Sequence, residues 1–126
     1  MKIVAMIARL LLGIIFLVFG SNIFLHFIPT PPMPPGTMAD FSRVLADSHY
    51  IWVVGFFQVV PAILLLINRY VPLALTLLAP VIVNIDVTHI LISPSGLPVA
   101  AVVTILWFLV FLRVRPAFAG IFQQHV

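Results

Sequence analysis

A few polar side chains interrupt long apolar stretches of this chain, and any chemistry must come from them. Asn22 and His26 lie four residues apart in the first stretch, on one helical face. Gln58 stands alone in the second. Asn84, Asp86, Thr88 and His89 cluster in the third, and the fourth offers only Thr104 and the indole of Trp107. Imidazole and carboxylate side chains can take up and release protons, and amides can hold the polar end of a ligand. A carboxyl group at membrane depth is costly and generally faces a cavity or a partner. His89, three residues on from Asp86 and on nearly the same face, is its nearest local partner. On a helical wheel Asn84 and Thr88 point away from Asp86, so this segment is polar on two sides, one of which suits a neighbouring helix or a second subunit. The competing account is interhelical hydrogen bonding, worth about 0.6 kcal/mol per group, which needs no ligand. Taken singly, Asn22, Gln58 and Asn84 fit that account; the Asp86/His89 pair fits a functional cavity better.

The elements that position these groups follow from composition. Hydrophobic residues make up 63% of the 126, and charged residues 7%. A soluble domain carries about 25% charged residues, so lipid is the solvent for most of these side chains. The six basic and three acidic residues are scattered near segment ends, a pattern of membrane orientation rather than nucleic-acid binding. Without cysteine there is no disulfide, thiol or thiolate–metal chemistry. Lys2, Arg9 and the apolar run after them resemble a signal peptide, yet no small-residue cleavage pattern follows, and the run reads as a retained span.

Four spans are predicted, at about residues 10–28, 50–67, 71–92 and 97–112, each about 24–33 Å long as a helix. They form one domain over 1–126, an all-α integral membrane four-helix bundle. An even number of spans puts Lys2, Arg9, Arg69, Arg113 and Arg115 on one side and Arg43 on the other, which predicts cytoplasmic termini. The outer loop, 29–49, begins with prolines 29, 31, 32, 34 and 35, an extended segment. Thr37-Met38-Ala39-Asp40 resembles a capping box. Met38, Phe41, Val44 and Leu45 then recur at helical spacing opposite Asp40, Arg43 and Asp47, predicting a short amphipathic helix that lies on the outer membrane surface or folds over the bundle mouth.

Depth is the informative feature. Counted from the outer end of each span, His26 and His89 lie about 3–5 Å in, and Asn22, Gln58, Asn84 and Asp86 about 9–12 Å in. The polar groups therefore share the outer half. Pro61 and Pro80 sit mid-span and free the carbonyls of Phe57 and Thr76. Gly13 and Gly20, on the opposite side of the first span from Asn22 and His26, mark close helix packing.

The run Ala8–Gly20 with Asn22, Phe24, His26 and Phe27 resembles the first span of the DoxX-like family. Leu64–Leu75 with its Asn68-Arg69-Tyr70 turn, and Ala79–Asn84 with His89, resemble it too. The resemblance implies a four-helix protein of the bacterial inner membrane, associated with redox processes, as in a quinone-linked thiosulfate oxidoreductase subunit. Gln58 stands where that family commonly has glutamate, and Asp86 where it commonly has an apolar residue. The function expected is a redox-associated subunit, with a membrane redox partner, that holds a quinone or similar small apolar molecule among Asn22, His26, Gln58, Asn84, Asp86 and His89. The alternative is a non-catalytic assembly partner or small-solute carrier. A small-multidrug-resistance carrier is disfavoured because the first span has no acid. Haem is disfavoured because it rests on one histidine pair, His26 and His89, near the surface.

The topology is open to a direct check. A reporter active only in the cytoplasm should be on when fused after Val126 and off when fused after Pro35; the opposite pattern would reverse the orientation.

Overall fold

A backbone crossing lipid must satisfy its own hydrogen bonds, which leaves helices as the economical form for so apolar a chain. The computed structural model describes every residue except 30. Five helices follow in order: α1 (Lys2–Leu25), α2 (Thr37–Asp47), α3 (Tyr50–Leu66), α4 (Val71–Leu91) and α5 (Leu97–Val114). Short 3-10 segments cover Pro94–Gly96 and Arg115–Phe122, and no strand occurs among the described residues. α1, α4 and α5 with its flanking turns are long and apolar enough to cross a membrane. α3 has 17 residues and meets that standard only together with α2, from which it is bent by 85°. The protein is an all-α integral membrane four-helix bundle with a short amphipathic helix in its first connection.

α1 packs against α3 and α5, and α4 packs against the same two, so α1 and α4 stand across a diagonal. The core lies towards the end that carries the termini. Leu12 and Phe16 of α1 meet there with Leu65 of α3, Leu75 and Leu78 of α4, and Val103 and Val110 of α5. The Trp107 indole N–H donates to the Leu75 carbonyl at 2.9 Å, tying α5 to α4.

Helix ends differ from the sequence expectation in instructive ways. α1 begins at Lys2, eight residues before the predicted span, and runs unbroken through Arg9. Arg9 is accommodated because its guanidinium donates to the Leu65 carbonyl and, at 3.5 Å, to the Leu66 carbonyl, two of the orphan acceptors at the end of α3. The rest of that end closes as a Schellman turn: Asn68 N–H bonds the Leu65 carbonyl at 3.3 Å and Arg69 N–H the Leu64 carbonyl at 3.0 Å. Asn68 takes the left-handed conformation this turn needs, with φ 56°. The capping box expected at Thr37–Asp40 does not form. Gly36 occupies the N-cap position with φ 156°, a conformation side-chain-bearing residues rarely adopt, so Thr37 falls one place too late and makes no cap bond.

Small residues let α1 and α3 approach closely. A Cβ added at Gly20 would stand 2.9 Å from Gln58 Cβ and 3.3 Å from the Val59 backbone nitrogen. Gly20→Val should therefore lower stability in detergent by about 1–3 kcal/mol through overpacking. Gly120→Val, where nothing lies within 4 Å, should leave the melting curve unmoved. Equal curves for both variants would remove the tight α1–α3 contact from the account.

Candidate functional site

The last buried apolar residue of α4 is Ile82, and beyond it the bundle opens. Between α2, α3 and α4 lies a cavity of about 450 Å³. α2 lays Met38, Phe41 and Leu45 along it. α3 contributes Tyr50, Val54, Phe57 and Gln58, and α4 contributes Pro80, Asn84, Ile85, Thr88 and His89. Val44, from the same apolar face of α2, does not line the cavity. The wall is largely apolar, with amide, hydroxyl and imidazole groups set into it.

Gln58 is 8% exposed and is the one buried polar residue among the described residues. Its amide makes no hydrogen bond to another described residue, although no buried polar atom is left wholly enclosed without a partner. It follows that the amide is open to the cavity it lines. Asn84 donates through Nδ2 to the Pro80 carbonyl at 2.8 Å, which leaves its Oδ1 as an acceptor. The His89 ring lies against Gly96, where a Cβ would overlap it, and its Nδ1 is 3.1 Å from the Ser93 carbonyl. A carbonyl only accepts, so Nδ1 carries the proton and Nε2 is the free acceptor of the neutral ring.

The structure brings Gln58, Asn84 and His89 to this one cavity and separates the other three candidates from it. Asn22 closes the end of α1: its backbone carbonyl accepts from His26 N–H at 2.9 Å and its Oδ1 from Ile28 N–H at 2.8 Å. His26 is the residue just past the helix, left-handed and exposed, and not a member of the span.

Asp86 faces a separate groove of about 330 Å³ between α4 and α5. Its partner is Thr104, whose Oγ1 lies 3.0 Å and 2.9 Å from the two carboxyl oxygens and 2.8 Å from the Ala100 carbonyl. One hydroxyl proton serves three oxygens, so the carboxyl keeps open hydrogen-bonding capacity towards the groove. The expected Asp86/His89 pairing is thus replaced by Asp86/Thr104 and His89/Ser93. The two side chains are about 60° apart on the helix, close enough that α5 draws one away and the turn after α4 holds the other.

Residues 4–90 match the model of the DoxX family. The chain belongs to the DoxX family. Comparison with curated proteins and with solved structures gives no match for this DoxX-family chain. The matched stretch contains every residue lining the α2–α3–α4 cavity, whereas α5, with Thr104, lies beyond it. Sequence reasoning singled out neither Tyr50 nor Phe57 as a lining residue. The available signal was their place on α3: Phe57 directly precedes Gln58, and Tyr50 lies about two turns before it, at the junction with α2.

Thr104→Val leaves the Asp86 carboxyl without its donor and should cost about 1–3 kcal/mol of stability in detergent. Adding Asp86→Leu should recover most of that loss, since the groove is otherwise apolar. A Thr104→Val protein that melts like the parent would remove Thr104 as the partner.

Proposed function

We propose that this DoxX-family membrane protein binds a quinone, or a small apolar molecule with similarly placed carbonyl oxygens, in the α2–α3–α4 cavity. The bent α2 forms its cover. The observation that carries this reading is Gln58, a buried amide with an unused donor in a largely apolar wall. A buried polar group gains from a partner, and a ligand carbonyl is the complement of that amide. Phe57, Phe41 and Val54 suit the flat apolar body of such a molecule. The residues present therefore fit the group. A bound quinone supplies two-electron, two-proton chemistry; the chain's part is to hold and orient it and to handle a proton. His89 is suited to that through Nε2, its tautomer being set by Ser93. On this reading the protein works as a redox-associated subunit of the bacterial inner membrane, with cytoplasmic termini and a membrane redox partner.

Titration of purified protein with a short-tailed benzoquinone, followed by quenching of Trp fluorescence, should saturate. Gln58→Leu should bind about tenfold more weakly, the equivalent of about 1.4 kcal/mol, while keeping its melting temperature. Quenching that never saturates, or an unchanged affinity in Gln58→Leu, would defeat the proposal.

A further inference from the structure

At the opposite end of the bundle from this cavity, α1, α5 and the turn between α3 and α4 enclose a crevice of about 640 Å³. Lys2, Arg9 and Arg113 line it, with Met6, Val71 and Val114 as apolar wall. No carboxylate is among its lining residues. Asp40 and Asp47 lie on α2, and Asp86 is 15 residues along α4 from Val71, about 22 Å of helix. None of the three acids lines the crevice. The one ion pair among the described residues is Arg43–Asp40, exposed on α2.

Arg9 is also fixed in place. It is half-buried, and its Nη1 is held by the Leu65 and Leu66 carbonyls at the end of α3. Its Nη2 and Nε groups make no hydrogen bond to a described residue. A guanidinium with its stem immobilised presents its remaining donors at little entropic cost, in a planar fork that matches a phosphate. Lys2 and Arg113 add two more cations around the same space. Three like charges without a counter-charge repel, and an anion among them removes that cost.

We infer that this crevice is a binding site for an anionic phosphate group, held by Arg9, Lys2 and Arg113. A lipid headgroup and free phosphate share that chemistry. The apolar wall beside the cations matches the glycerol and upper acyl region of an acidic phospholipid, so the lipid is the occupant the lining favours. The site is independent of the Gln58 cavity.

The test is the melting temperature of the intact, detergent-purified protein as short-chain phosphatidylglycerol is added. Parallel titrations use phosphatidylcholine of the same chain length, and inorganic phosphate. Phosphatidylglycerol should raise the melting temperature in a saturable way, and phosphatidylcholine should not. Lys2→Gln combined with Arg113→Gln should weaken the response at least tenfold, whereas Arg115→Gln, outside the crevice, should respond like the parent. Both variants leave Arg9 and its contacts to α3 intact. A matching rise with inorganic phosphate, lost in the double variant, would support the site and assign it to a free anion. Equal responses to the two lipids, or equal losses in Arg115→Gln and the double variant, would overturn the inference.

Discussion

Lipid offers no hydrogen bonds, and much of this structure follows from that constraint. Every helix end and every polar side chain must find its partner within the chain or in an opening. Arg9 serves the carbonyls at the end of α3, and Asn22 serves the N–H of Ile28 beyond α1. Thr104 serves Asp86, the Ser93 carbonyl serves His89, and the Leu75 carbonyl serves Trp107. Several of these bonds also join helices, so satisfying polar groups and assembling the bundle are partly the same event.

Against that background an unserved group is informative. Gln58 sits where α3 is close-packed on Gly20 of α1, so its backbone is fixed by a tight helix contact. Its amide nevertheless ends at the cavity edge rather than on a neighbour. The asymmetry of packing explains why space exists there: the core of leucine, valine and alanine fills the end near the termini, and α4 has no buried residue beyond Ile82. The amphipathic α2, bent by 85° from α3, then supplies apolar side chains along one wall of what would otherwise be an open cleft.

The two ends of the bundle thus differ in chemistry. One gathers amide, hydroxyl and imidazole groups in a largely apolar wall beneath a helix. The other gathers cations around a crevice with no acid in its lining. Arg9 links packing to charge, since the bond that closes α3 also immobilises the guanidinium.

The sequence by itself determined the helices, their number and the amphipathic segment between the first two spans, because hydrophobic length and periodicity are local properties that lipid enforces. It also assigned Gln58, Asn84 and His89 to the same half of their spans, since helical rise is regular. Which of the six candidate residues share a cavity was decided only by tertiary structure. Asp86 and His89 lie about 60° apart on one helix, and that spacing is compatible with either a shared site or two separate ones. The arrival of Thr104 on α5 and the turn at Ser93–Gly96 settle the matter, because each offers a hydrogen-bond partner from outside α4. Asn22 and Arg9 follow the same rule: their spacing in the chain is silent on roles set by where α1 ends and by which helix packs beside it.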